Sequence, residues 1–239
     1  MKIDVFFTPL GLVPGDLNGR GVIVVDVLRA TTTIVTALAN GAKAVVPAPT
    51  AEEAVRLTAN LEKNDFVLAG ERKVLRIEGF GLGNSPREMT REAVGGKTVF
   101  LATTNGTPAL VAAQGGDPIL VASVANFSAA VKRARAVFQE RGDLVIVCSG
   151  REKQFALEDA YTAGRIAKAV KRGTRGVTFN DGGRVAVDLA AKYRSWTDAL
   201  QASEAAALLR EADLAEDVIF CARADRFDVL PTYADRRIT

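Results

Sequence analysis

Seven short runs of apolar, largely β-branched residues recur along the chain, at Ile3–Thr8, Gly21–Asp26, Ala44–Ala48, Phe66–Ala69, Thr98–Thr103, Ile119–Ser123 and Leu144–Cys148. Their near-continuous hydrophobicity suits strands covered on both faces, as in a parallel sheet. Most are separated by segments with helical starts. Thr50-Ala-Glu-Glu53 and Ser85-Pro-Arg-Glu88 are capping-box patterns, the second with proline at the first helical position. Asn126 can cap the stretch Phe127–Arg141, where Ala130, Ala134, Val137 and Phe138 make one apolar stripe. Gly41 and Gly95 stand where helices should stop. The alternation predicts a three-layer α/β/α fold around a mostly parallel or mixed central sheet. From about Gly173 the rhythm changes. Asp181–Trp196 and Ser203–Ala224 read as helical, and Phe227–Pro231 as a last strand or an extended tail. No low-complexity linker intervenes, so residues 1–239 are expected to form a single domain, with 173–239 its mainly helical extension.

Two counts narrow the chemistry. The chain has no histidine, which excludes Ser-His-Asp triads, histidine phosphatases and histidine–zinc hydrolases. It has only two cysteines, Cys148 and Cys221, too few for a Cys₄ zinc site or an iron–sulfur cluster. Acid–base work falls to Asp, Glu, Lys, Tyr, Cys or a metal, and oxygen ligands favour Mg²⁺, Mn²⁺ or Ca²⁺. The net charge of +3 is spread among acidic neighbours and aromatics are only 6%, so nucleic acid is not an expected partner. No apolar run reaches the roughly 18 residues of a membrane span, and the N-terminus lacks a secretory pattern, so a cytoplasmic protein away from membranes is expected. A homodimer is the expectation from the frequency of twofold assemblies.

Four segments carry candidate chemistry, all at predicted strand ends, where open α/β sheets bind ligands. After the second run come Asp26, Arg29 and the hydroxyls of Thr31, Thr32 and Thr33 at a helix start, a combination that suits phosphate. The same residues also read as a capped helix with an Asp26–Arg29 pair. After the fourth run stand Glu71 and Arg72, then a glycine-rich loop leading to Asn84 and Ser85. After the fifth, Thr103, Thr104, Asn105, Gly106 and Thr107 form a hydroxyl-rich turn, a theme that Ser123 and Asn126 repeat. After the seventh, Cys148-Ser-Gly-Arg151 precedes Glu158 and Asp159, either of which suits a helix start or a carboxylate–metal cluster. Other signatures fail on spacing. Gln154 stands where a cysteine phosphatase needs arginine, Arg91 where a P-loop needs glycine, and Leu28 where an aspartyl phosphatase needs its second Asp.

Taken in order, Asp26-Val-Leu-Arg-Ala-Thr-Thr-Thr33, Gly70-Glu-Arg72, Gly79-Phe80, Leu82-Gly-Asn-Ser-Pro86, Thr103-Thr-Asn-Gly-Thr107, Asn126, Leu157-Glu-Asp159 and Ala163-Gly164 resemble the ComB family, the Mg²⁺-dependent 2-phosphosulfolactate phosphatases. The resemblance covers most of residues 20–170. It implies an α/β/α phosphoric monoester hydrolase that converts 2-phosphosulfolactate to sulfolactate and phosphate, a step of coenzyme M biosynthesis. On this reading Asp26, Glu71 and Asp159 form the acidic centre and hold Mg²⁺. The anionic ester then meets Arg29, Thr31–Thr33, Arg72, Asn84, Ser85, Thr103–Thr107 and Asn126. The chain departs from the family at Gly81, usually Asp, and at Lys73-Val-Leu-Arg76, where glycine often follows Gly-Glu-Arg sooner. Those departures keep two alternatives open: a non-hydrolytic binder of a phosphorylated or sulfonated metabolite, and a phosphatase with a changed substrate.

Overall fold

The computed structural model describes residues 1–13 and 15–239. The first half runs β1 (Lys2–Phe6), β2 (Gly21–Val25), α1 (Ala30–Ala39), β3 (Ala44–Ala48), α2 (Ala51–Thr58), β4 (Phe66–Arg72), β5 (Leu75–Arg76), α3 (Arg91–Val94), β6 (Thr98–Ala102) and α4 (Gly106–Ala112). The second runs β7 (Ile119–Ala122), α5 (Phe127–Arg141), β8 (Asp143–Cys148), α6 (Leu157–Lys171), β9 (Thr178–Phe179), α7 (Asp181–Lys192), α8 (Trp196–Gln201), α9 (Glu204–Glu211), α10 (Ala215–Cys221), β10 (Tyr233–Ala234) and β11 (Arg237–Ile238). Each of the seven apolar runs is a strand, and the α/β class holds.

The strands divide between two sheets, which periodicity alone did not disclose. One sheet is wholly parallel, in the order β7-β2-β8-β1-β9. The other, β10-β11-β3-β6-β4-β5, is parallel through β3, β6 and β4 and antiparallel at both margins. The period of two along each strand decides what each face meets. Ile23 and Val25 of β2 join Leu144 and Ile146 of β8 in a core with Ala134 and Phe138 of α5 and Ile166 of α6. Val22 and Val24 face the other way, into a core shared with Ile34 of α1, Leu110 of α4 and Val45, Val99 and Leu101 of the second sheet. Phe100 and Ala102 turn outward toward Ala54 of α2. The first sheet is therefore covered by helices on both faces, and α1 and α4 sit between the two sheets.

Local signals succeed where a side chain can reach its partner. Thr50 accepts the Glu53 N–H at 3.1 Å and caps α2. Gly41 follows α1 with φ of 91°, and Gly95 closes α3. Ser85 starts only a 3₁₀ turn, Pro86–Glu88, because the next helix, α3, begins afresh behind Thr90. Asn126 makes no cap bond to α5. Its Oδ1 accepts the Ser123 N–H, and its Nδ2 donates to the carbonyls of Val121 and Val229. Phe227–Pro231 is an extended tail rather than a strand. The Val121 N–H donates to the Pro231 carbonyl at 2.9 Å, and beyond it the β10–β11 hairpin pairs with β3. The tail thus ties the two sheets together.

Candidate active site

A cleft of about 630 Å³ opens where strands of both sheets end at their C-termini. Asp26 follows β2, Glu71 closes β4, Thr103–Asn105 follow β6, Ser149–Glu152 follow β8, and Glu158 and Asp159 open α6. Of the residues singled out from sequence, the cleft is lined by Asp26, Arg29, Glu71, Arg72, Asn84, Thr103, Thr104, Asn105, Ser149, Gly150, Arg151, Glu158 and Asp159. Thr31, Thr32, Thr33, Ser85, Gly106, Thr107 and Asn126 do not line it. The three threonines are buried, and their hydroxyls donate to the carbonyls of Asp26, Val27 and Asn84. They fasten α1 to the loops around the cleft. Thr103 and Thr107 bond each other reciprocally, the Thr107 N–H donating to Thr103 Oγ1 and the Thr103 N–H to Thr107 Oγ1. Gly106 lets α4 close on the cleft, since a Cβ there would stand 2.7 Å from Asp26 Oδ2 and collide with Ala30.

The carboxylates differ in how far the fold satisfies them. Glu71 Oε1 accepts the Thr104 N–H at 2.7 Å, and Oε2 accepts the Val74 N–H at 2.9 Å. Asp159 Oδ1 accepts from Val27 N–H at 2.8 Å, and Oδ2 from the Ser149 hydroxyl and the Gly150 N–H. Asp26 Oδ1 takes the Ala30 N–H at 2.9 Å. Burial is the main force on these groups. It pushes Asp26 up to about 6, aided by the charge of Glu71 and opposed by Ser149, the Ala30 N–H and Arg29. Burial and then the charge of Asp26 push Glu158 up to about 7. Asp159 is held well above the usual carboxylate range by burial, then by Asp26 and Glu158. Three buried carboxylates repelling one another favour any cation that joins them.

Two features escaped the sequence reading. Lys73 and Val74, part of the departure from the family pattern, form the two-residue turn of the β4–β5 hairpin with φ of 51° and 64°. A β-branched residue resists that region, so the turn needs outside support. It receives two bonds: Glu71 Oε2 accepts the Val74 N–H, and Arg29 Nη2 donates to the Val74 carbonyl at 2.6 Å. The second feature is Asp217 of α10, fully buried and bonded to both Arg29 and Ser85. No sequence signal marked Asp217, because it reads as the first-turn acid of an ordinary helix. Gly81, the other departure, is exposed and does not line the cleft. The Gly164 position has a packing cause, since a Cβ there would collide with the Ala186 carbonyl of α7.

Among the described residues no three His, Cys, Asp or Glu side chains are preassembled around one metal position. Asp26, Glu71 and Asp159 are thus not a closed cage. The donor chemistry fits a different arrangement, in which a hard cation takes one or two carboxylates and completes its shell from phosphate oxygens and water, the habit of Mg²⁺. Cys148 lies beside the cluster, but burial and the charges of Asp159, Glu158 and Asp26 push its thiol well up, leaving it unreactive.

Fold and site together define an α/β enzyme built for a small anionic substrate at the strand ends. A family model described as 2-phosphosulpholactate phosphatase matches residues 7–236. Curated relatives named probable 2-phosphosulfolactate phosphatase include one from Caldanaerobacter subterraneus, 39% identical over 90% of this chain and 88% of its own length. One from Symbiobacterium thermophilum is 39% identical over 93% and 95%, and one from Thermotoga petrophila is 37% identical over 96% and 94%. The chain belongs to the 2-phosphosulpholactate phosphatase family, which places it among the phosphoric monoester hydrolases. No helix among the described residues is long and apolar enough to cross a membrane.

Proposed function

We propose that this chain hydrolyses a small, multiply anionic phosphate monoester with Mg²⁺ as its metal, and that 2-phosphosulfolactate, the compound in its relatives' names, is the substrate. The observation that carries the reading is the crowding of Asp26, Glu158 and Asp159 beside Arg29 in one cleft. Asp26 and Glu158, the carboxylates least engaged by the backbone, would hold the ion. When bound, it supplies Lewis acidity toward the phosphoryl group. Glu71 and Asp159, with both oxygens accepting N–H or O–H groups, fix the loops that carry the rest of the site. Arg29 grips phosphoryl oxygens through the N–H groups left free by Asp217 and the Val74 carbonyl. Thr103, Thr104, Asn84 and Asn105 complete the polar wall, and Arg72 stands at the exposed mouth for a second anionic group of the ester. Asp26 is the candidate nucleophile or proton acceptor for water. Gly81 lies outside the cleft, so the departure there leaves these groups intact.

Phosphate release from 2-phosphosulfolactate and from phosphoglycolate, with Mg²⁺ and with a chelator, tests the reading. The expected result is turnover that the chelator abolishes and added Mg²⁺ restores, fastest on 2-phosphosulfolactate. Undiminished turnover in chelator removes the metal. No release from any acidic monoester, with ligand-induced thermal stabilisation retained, replaces the hydrolase with a binder. Acid-labile phosphate trapped on Asp26 distinguishes covalent transfer from direct attack by water.

A further inference from the structure

Asp217 is a buried charge that the roles above do not use. It lies on α10, 188 residues from Arg29 in sequence, yet its Oδ2 accepts from Arg29 Nη1 at 2.7 Å. Its Oδ1 accepts the Ser85 hydroxyl at the same distance. Both members of the Arg29–Asp217 pair are almost wholly sequestered, with 3% and 0% of their side chains exposed. Burying such a pair costs desolvation on both sides, and packed apolar residues commonly stabilise a fold as well or better. Packing alone therefore gives α10 no reason to carry an aspartate here. The pair supplies direction instead. With Nη1 tied to Asp217 and Nη2 to the Val74 carbonyl, the guanidinium cannot rotate, and its remaining donors keep a fixed aim. The other oxygen of Asp217 is held by the Ser85 hydroxyl, which keeps the carboxylate from turning with Arg29.

We propose that Asp217 is a positioning residue for phosphate recognition: it fixes the Arg29 fork, so that one buried carboxylate sets the aim of the cation that meets the anion. The proposal rests on the phosphatase reading for its meaning, but its test does not need turnover. Inorganic phosphate is the probe, titrated by calorimetry into wild type, Asp217→Asn, Arg29→Gln and the double variant, with circular dichroism confirming the folded state. Asp217→Asn and Arg29→Gln are each expected to weaken phosphate binding roughly tenfold or more, since small misplacements of a clamp are costly. The double variant should bind no more weakly than Arg29→Gln alone, because Asp217 acts through Arg29. Where wild type turns over an ester, Asp217→Asn should also lower kcat per folded molecule.

Phosphate binding by Asp217→Asn that is unchanged or tighter, in folded protein, overturns the proposal. If that variant does not fold, the double variant, which removes both charges together, decides. Binding equal to Arg29→Gln supports positioning, and binding distinctly weaker overturns it. A wild-type chain that binds phosphate but hydrolyses nothing ends the phosphatase reading while leaving the Asp217 comparison standing. One that binds no phosphate ends both.

Discussion

The two ends of the parallel sheet both bury carboxylates, and they treat them differently. At the N-terminal end Asp4 of β1 is 3% exposed, but Lys2 Nζ lies 2.9 Å and Arg20 Nη2 2.8 Å from its Oδ2. Arg20 also reaches Asp143 at the start of β8. Two cations meet two anions there. At the C-terminal end the buried Asp26, Glu158 and Asp159 share a cleft with Arg29, whose charge is already matched by Asp217. Matched charge holds a fold together. Unmatched buried charge of one sign is costly unless a ligand or ion relieves it, so the contrast separates the structural end of the sheet from the chemical one.

The contrast breaks most sharply on a pair of isosteric changes. Asp26→Asn should cut kcat at least about a hundredfold, the range for a lost acid–base or nucleophilic group, while its thermal midpoint holds or rises. Asp4→Asn should leave kcat per folded molecule within about twofold and cost roughly 1–3 kcal/mol of stability by denaturant titration, because it unpairs buried polar partners. Exchange of those two outcomes would abolish the distinction between the ends.

Glycines extend the comparison with smaller effects. Gly106→Ala adds a methyl 2.7 Å from Asp26 Oδ2 and against the Ala30 methyl, which has no rotamer to yield with. Gly21→Ala, at the opposite end of β2, meets Val137 and Leu144 side chains. The first should lower kcat about tenfold or more by displacing Asp26. The second should cost about 1–3 kcal/mol of stability and spare kcat. Steady-state kinetics beside denaturant curves for both variants provides the check.

The unmatched charge also sets a pH slope. In metal-free protein Asp26 holds its proton to about 6 and Glu158 to about 7, against roughly 4 for both once unfolded. Between about pH 4 and 7 the folded chain binds more protons than the unfolded one, so these groups make stability fall as pH rises through that window. Thermal midpoints measured in chelator should decline accordingly, Mg²⁺ should flatten the decline, and Asp26→Asn should flatten part of it without metal. A decline that Mg²⁺ leaves untouched would detach the cation from these carboxylates.

The same contrast explains how much was legible in the sequence. Strands such as Ala44–Ala48 and Leu144–Cys148 announce themselves because burial on both faces demands a short run of uniformly apolar residues. Asp26, Glu71 and Asn105 could be joined in advance because strand-end loops in α/β folds converge whatever their separation along the chain. Thr31, Thr32 and Thr33 turn their hydroxyls to carbonyls, a role with the same spelling in sequence as one that grips a ligand. The division into two sheets was hidden because pairing partners are nonlocal. Asp217 was hidden because only the folded chain brings α10 to Arg29.

Gly81 provides the last and smallest test. Gly81 is one of the departures from the pattern that the chain otherwise resembles, and an acid at that place is a candidate to join the cluster at the strand ends. The geometry argues otherwise. Gly81 is exposed, its nearest neighbour for an added Cβ is Val67 Cγ2 at 3.3 Å, and it does not line the cleft. An aspartate introduced there projects from a surface loop, where water screens its charge from Asp26. Gly81→Asp should therefore leave kcat/KM and its Mg²⁺ dependence within about twofold, and stability within roughly 0.5 kcal/mol, the usual span for surface changes. A large gain in turnover or in Mg²⁺ affinity would show that the acidic end of the sheet reaches beyond the cleft, and that Gly81 is where this chain gave up part of it.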